Sequence, residues 1–396
     1  QDVTNTVWAL ATMGVTPDAA LLRAMQGRAT ALAGEFNPQA VANTVWALAK
    51  MGVTPDAALL RAMQGRATAL AGEFNSQSVA NTVSALATMG VTLDERLLRA
   101  MQGRATALAW EFTPQDVAHT MWALATMGVT PDERLLRAMQ GRATALAGEL
   151  NPQNIAMMLW ALAKMGVTPD AGLLRAMQGR ATALAGEFNP QNVANTVWAL
   201  ATMGVTPDER LLRAMQGRAT ALAGEFNPQD VANTVWAHAC FGIQCGKGEH
   251  VLFNIFATRL LEIASTLDVE EERQVHQWLL TFDLEPTWKL SFPVRVNAVK
   301  HELGERCRQS FVIDSNPSKL QVSLSLSLSL SPSLSLSLPP SLLTPYILRP
   351  LIRELQVTVL LVRRGTSPGR FGDRFQIMSS QRNMKTQSLA TALTCE

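Results

Sequence analysis

Short polar side chains recur along this chain at intervals of 38 residues, and most are of types that hydrogen-bond in two directions. One register reads Asp2, Ala40, Ser78, Asp116, Asn154, Asn192 and Asp230. Three residues on, a second reads Asn5, Asn43, Asn81, His119, Met157, Asn195 and Asn233. A third reads Thr12, Lys50, Thr88, Thr126, Lys164, Thr202 and Cys240. Asparagine, aspartate and serine can tell planar heterocycles apart by donor and acceptor pattern, and one-base-per-repeat codes in helical proteins work in this way. Lys50 and Lys164 would add phosphate contacts, together with whichever arginines of the Arg23 and Arg28 series face the same groove. A solvated helix face on which nothing packs would drift in the same manner, and these residues alone leave both readings open. The candidate interface is Asp2, Asn5, Asn43, Lys50, Ser78, Asn81, Asp116, His119, Asn154, Lys164, Asn192, Asn195, Asp230 and Asn233.

Nothing in the chain assembles a reaction centre. His119, His238, His250, His276 and His301 show no triad or metal-ligand spacing, and no glycine-rich phosphate loop is present. His238, Cys240, Cys245 and His250 lie close together but lack a CxxC pair, and the first two replace a leucine and a threonine of a helix. The expectation is a non-enzyme, with no metal, no cofactor and no small-molecule substrate.

The elements that would position the polar registers follow from the repeat. Six blocks of 38 residues fill 1–228 without an insertion; Trp8, Trp46, Trp122, Trp160, Trp198 and Trp236 keep one register, in which Ser84 takes the remaining place. Gly14, Gly52, Gly90, Gly128, Gly166, Gly204 and Gly242 keep the same step. A period of this length means a stacked array, because one unit is too small to bury its own apolar face. In the block after Asn189-Pro190, asparagine can cap a helix and proline suits its first turn; that helix runs to a stop at Gly204. Val193, Val197, Leu200 and Ala201 share one side of it, and Gln191, Asn192, Asn195, Ala199 and Thr202 the other. Ala9 and its equivalents lie between the polar registers and would let a flat ligand approach the backbone. Thr206-Pro207-Asp208-Glu209 reads as a capping box opening a second helix, whose apolar stripe is Leu211, Leu212, Met215, Ala219, Leu222 and Phe226. Each block is then a helical hairpin, and the fold class is all-α, an α-solenoid expected to wind as a right-handed superhelix. Trp198 falls at the margin of the two sides; packing between neighbouring hairpins is its expected role, and stacking on a base is the alternative.

Three segments follow: 1–228 as six tandem hairpins, 229–322 as a degenerate seventh repeat with a helical cap, and 323–396 as a low-complexity tail. Residues 323–338 alternate serine and leucine almost without break, a pattern that a CT dinucleotide repeat gives when translated. The tail is therefore expected to be disordered and functionally void, as translated noncoding sequence would be. The formal net charge is +2 over 396 residues; Asp, Glu, Lys and Arg of 1–228 cancel, while 345–396 carry eight basic and three acidic residues. Four cysteines outside the repeats are too few for a disulfide framework. No run is long enough to span a membrane, so no membrane partner is expected. The chain starts at Gln1 inside a repeat, as a piece of a longer protein would.

The string FNPQxVANTVWALATMGVTPD, followed by LLRAM and ALAGEF, resembles the octotricopeptide-repeat proteins, whose repeat is a 38-residue helical hairpin and which often end in a RAP domain. The resemblance covers about residues 1–320. It includes Gln274-Val275-His276-Gln277-Trp278-Leu279-Leu280 through Leu284-Glu285-Pro286, and Asn316-Pro317-Ser318-Lys319-Leu320-Gln321-Val322-Ser323, which are similar to segments near that domain. No RAP domain continues in 340–396. The resemblance implies sequence-specific binding of single-stranded organellar RNA, in chloroplast or mitochondrion, supporting RNA stability, processing or translation alongside other RNA-processing proteins. Its variable helix positions map onto the Asp2, Asn5 and Thr12 registers. Two departures stand out: these repeats are unusually alike, so a code would be monotonous, and they carry little charge for an RNA groove. A protein-interaction scaffold, with a peptide or helix in the groove of the same solenoid, is the alternative.

Overall fold

A computed structural model of the chain describes residues 2–241, 249–284 and 299, and four three-residue strands beyond them. Helices occupy most of this. The first compact unit, Gln1–Leu222, contains α1 (Asp2–Thr12), α2 (Ala19–Leu32), α3 (Pro38–Lys50), α4 (Ala57–Ala69), α5 (Ser76–Thr88), α6 (Glu95–Ala107), α7 (Pro114–Thr126), α8 (Glu133–Ala145), α9 (Pro152–Lys164), α10 (Ala171–Ala183), α11 (Pro190–Thr202) and α12 (Glu209–Leu222). Odd-numbered members are the first helices of successive hairpins and even-numbered members the second. The protein is an α-solenoid.

Local chemistry sets the ends of each first helix. Asn37 accepts from the Ala40 amide at 2.8 Å and Pro38 takes the first helical position, where its missing N–H costs nothing. At the other end Gly52 has φ 68°. Its N–H donates to Ala49 and that of Val53 to Leu48, at 3.0 and 2.9 Å, so two orphan carbonyls are satisfied by a left-handed turn that glycine adopts without steric cost. The second helix starts two residues later than Thr206-Pro207 suggests. Asp208 is the cap, its Oδ1 accepting from Leu211 at 2.8 Å, and the helix opens at Glu209. Aspartate outcompetes threonine because its carboxylate is a strong acceptor placed against the N3 amide and the positive end of the helix dipole. The stripe is also shorter than its spacing suggests: the helix ends at Leu222, a 3₁₀ turn covers Ala223–Glu225, and Phe226 follows it, fully buried.

Packing makes the first helices an inner layer. They lie against one another extensively, α3 on α5 and α5 on α7, whereas second helices touch their neighbours less. Their sequence allows it. On α3, Val41, Ala42, Val45, Ala47 and Leu48 are all buried, and the alanines let helix axes approach closely. Second helices bury one stripe, Leu59, Met63 and Ala67 on α4.

The string LLRAMQGRATALA repeats unchanged because two of its polar residues tie successive repeats together. Gln64 accepts from the Asp94 amide at 3.0 Å, and Gln26, Gln102, Gln140 and Gln178 accept in the same way from Asp56, Asp132, Asp170 and Asp208. Arg66 donates its Nε to the Phe36 carbonyl at 2.7 Å, and Arg104, Arg142, Arg180 and Arg218 do the same one repeat further each time. Each bond crosses from one repeat to the next; a charge-assisted arginine bond contributes about 1.5–3 kcal/mol and a neutral glutamine bond about 0.5–1.5 kcal/mol.

The second compact unit, Ala223–Glu396, contains α13 (Pro228–Phe241), α14 (Glu249–Glu262) and α15 (Val269–Leu284). Phe226, Phe253, Phe256 and Trp278 are buried in its core, Phe226 edge-on to Phe256 at 5.2 Å. In the tail, β1 (Leu324–Leu326) pairs antiparallel with β2 (Leu334–Leu336), leucine opposite leucine and serine opposite serine. A second pair joins β3 (Leu360–Val362) to β4 (Arg374–Gln376). Most of 323–396 lies outside the described residues, and with it most of the expectation of a disordered, functionless tail; so do Cys245, Cys307, Cys395 and 316–323.

Candidate functional site

Three polar registers were expected on one face of the first helices, and the structure separates them. The register of Asp2 turns inward after α1. Ser78, Asp116, Asn154 and Asn192 are between 5 and 9 % exposed. They sit at the third helical position, close to their own caps: Asp116 accepts from the Thr113 amide and hydroxyl at 3.2 and 2.8 Å, and Asn154 from the Asn151 amide at 3.3 Å. The Asp116 and Asn154 side chains complete capping boxes, while at Ser78 and Asn192 the backbone N–H meets the capping asparagine. Asp2 itself is exposed at the beginning of α1.

The other two registers do face the surface. Asn5 is exposed, Asn43, Asn81, His119 and Asn195 are half-buried, and Lys50 and Lys164 are exposed at the ends of α3 and α9. Between them runs the tryptophan register, which the candidate set left out. Trp8 is 44 % exposed, and Trp46, Trp122, Trp160 and Trp198 are half-buried. Lys50 Nζ lies 4.9 Å from the centre of the Trp46 ring; Lys164 Nζ lies 5.7 and 5.9 Å from those of Trp160 and Trp198. Indole faces, cations and carboxamides therefore share one strip of the first unit. The regular step of tryptophan was the signal for it in the sequence.

The alanines expected to open the backbone to a flat ligand do not do so generally. Ala47, Ala123, Ala161 and Ala199 are fully buried, since the side-by-side packing of first helices covers them. Ala85 differs: though only 3 % exposed, it lines a depression of about 310 Å³ on the first-helix surface. Trp46 and Trp122 contribute walls, Asn81, Ser84 and His119 polar atoms, and Lys50 and Thr88 lie alongside. Ser84 donates to the His119 carbonyl at 3.3 Å. Burial lowers the His119 pKa from its ordinary value, with the nearby Asp116 charge pulling the other way, so the ring is neutral at neutral pH.

The arginines do not join this strip. The Arg28 series ties repeats from the second helices, as described above. In the Arg23 series, Arg99 pairs with Glu95 at 3.3 Å, while Arg137 and Arg213 pair with Glu133 and Glu209 in the same fashion.

In the second unit the same registers are closed by protein. Asp230 and Asn233 are buried, and α15 lies along α13. Gln274 donates to Asn233 at 2.9 Å, and the Trp236 indole N–H donates to Gln277. His238 is buried with Nδ1 2.7 Å from the Thr234 carbonyl, so Nδ1 carries the proton; burial pushes its pKa down to about 4. Cys240 is half-buried, and its thiol is pushed up to about 12. Among the described residues no group of three His, Cys, Asp or Glu side chains gathers as a metal cluster. No helix among the described residues is long and apolar enough to cross a membrane.

Fold and surface together define a helical-repeat protein whose first helices present an aromatic, carboxamide and lysine strip. Residues 1–170 match the family model described as RNA-editing substrate-binding complex 6 protein. Residues 185–197 and 208–235 match a model described as a protein of unknown function, DUF1601. No curated protein matches the chain.

Proposed function

We propose that the chain is a non-catalytic RNA-binding solenoid, holding a single strand along the first helices of its first unit. The observation that carries this reading is the coincidence of half-buried tryptophans with lysines on their rings and carboxamides beside them. Bases stack on indole faces, and stacking tolerates a strip with little net charge. Asn43, Asn81 and Asn195 have donors and acceptors free to meet base edges, as one-base-per-repeat proteins require. The match of 1–170 to a family named for RNA-editing substrate binding supports RNA as the ligand and RNA-processing proteins as partners. The resemblance to octotricopeptide repeats supports the finer assignment: an organellar transcript, in mitochondrion or chloroplast, and a part in its stability, processing or translation. The buried register of Ser78 and Asp116 is a poorer reader than the sequence pattern suggests, and the half-buried asparagines and tryptophans take its place.

The test is filter binding of the full chain to homopolymer RNAs at low salt. Binding is expected, and alanine at Asn43, Asn81 and Asn195 together should flatten the preference among the homopolymers. If no homopolymer is retained, the face reverts to a scaffold for a peptide or helix. If the triple variant keeps the parent's preference, the asparagines are not readers.

A further inference from the structure

Near-identical repeats pose a physical problem for a strand lying along them. Where every repeat offers the same contacts, a strand can slide by one repeat at no cost, and nothing sets its register. In the tryptophan register, the first-helix strip of the first unit breaks this equivalence at one place. Six repeats put an indole at the Trp46 register, and the third puts Ser84 there. With no indole to fill it, the surface opens into the depression of about 310 Å³ that has Trp46 and Trp122 among its walls.

Resting on the RNA reading, we infer that this depression is a base-binding slot, which takes one unstacked purine of the bound strand and so sets the strand's register on the array. Shape argues for a purine. Indole and purine share the outline of a fused five- and six-membered ring, so a purine suits a place from which an indole is missing. A pyrimidine would leave part of the space without contacts. The flanking indoles offer aromatic surface for stacking.

The edges of the slot suit a heterocycle better than a hydrocarbon. The Asn81 carboxamide presents a donor and an acceptor side by side, the pattern that pairs bidentately with a purine edge. Ser84 spends its proton on the His119 carbonyl and keeps lone pairs to accept. The neutral His119 ring offers one donor and one acceptor. Lys50, already held over Trp46, is placed to meet the phosphate of the extruded nucleotide.

Two variants of the full chain test the slot against oligo(A) and oligo(U) of equal length. Ser84→Trp restores the residue that six repeats already carry, so the fold should tolerate it, and a circular-dichroism melt checks this. Ser84→Trp should weaken oligo(A) binding about tenfold, the effect of losing one base–aromatic stack, and leave oligo(U) nearly unchanged. Ser84→Ala keeps the slot open and should retain most of the preference for oligo(A). If folded Ser84→Trp binds oligo(A) as tightly as the parent, or more tightly, the slot is overturned while the RNA reading stands. If the parent binds both oligomers equally, the purine assignment is overturned. If the parent binds neither, the RNA reading fails and the slot with it.

Discussion

Asp230 and Asn192 hold the same place in the repeat, and both are buried beside a capping asparagine, yet one carries a titratable carboxyl. Burial raises the Asp230 pKa from 3.8 to about 6, against a hydrogen bond from the Asn227 backbone that lowers it. The folded chain therefore keeps this proton up to about pH 6, while the unfolded chain releases it near 3.8. The stability that results is complete below the lower value and is lost as pH rises through the upper one. His238 acts in the opposite sense. Its folded pKa of about 4 lies below the ordinary 6.5, so its contribution is intact above 6.5 and is lost as pH falls toward 4. Asp230→Asn should raise the melting temperature at pH 7.5, with the gain shrinking to nothing below pH 4. A gain of the same size at both pH values would show that the carboxyl is not what titrates. The polar registers were legible as residues of the right chemistry at the right interval. Their exposure was not, because the burial of Asp116 and Asn192 follows from how the first helices pack side by side, which the repeat pattern does not specify. Trp46 and Lys50 stand four residues apart and share a face by helical period alone, but how much of the indole stayed exposed depended on how closely the alanines let neighbouring helices approach.

At the scale of the helix, Gly52 and Gly65 of one repeat separate cleanly by backbone angle. Gly52 has φ 68° and closes α3, whereas Gly65 lies within α4, exposed, with open space where a Cβ would stand. Alanine at Gly52 forces a left-handed conformation on a residue with a Cβ and should cost about 1–2 kcal/mol. Alanine at Gly65 relieves the unfolded chain of glycine's extra freedom and should stabilise by about 0.5–1 kcal/mol. Urea denaturation of the two single variants checks both signs, and a destabilised Gly65→Ala would mean that something packs on this outer surface. The capping asparagine, the proline at the first position and the closing glycine were all readable in advance, since their effects act within one turn. The start of the second helix was not. Thr206-Pro207-Asp208-Glu209 contains two residues able to cap, and only the geometry at Leu211 decides for Asp208. Nor could the constancy of Gln64 and Arg66 be explained locally, because both bond to the neighbouring repeat.

At the scale of the whole chain, charge decides how an RNA strand would be held. Acidic and basic residues cancel over 1–228, and the arginines of the first unit stand on second helices, so Lys50 and Lys164 are the lysines that the first-helix strip offers to phosphate. Each phosphate neutralised on a single strand steepens the logarithmic salt dependence of binding by about 0.7. Removing both lysines should therefore make the slope shallower by about 1.4, a difference of about sevenfold in relative affinity across a fourfold change in salt. Comparing Lys50→Gln/Lys164→Gln with the parent isolates this strip from the basic residues of 345–396, which both chains share. The affinity left at high salt should be substantial, since stacking on the tryptophans and hydrogen bonds to the asparagines release no counterions. A slope that the double substitution leaves unchanged would place the phosphates elsewhere on the molecule. It would also remove the lysine–indole pairs from the interface, and with them the reason to lay the strand along the first helices.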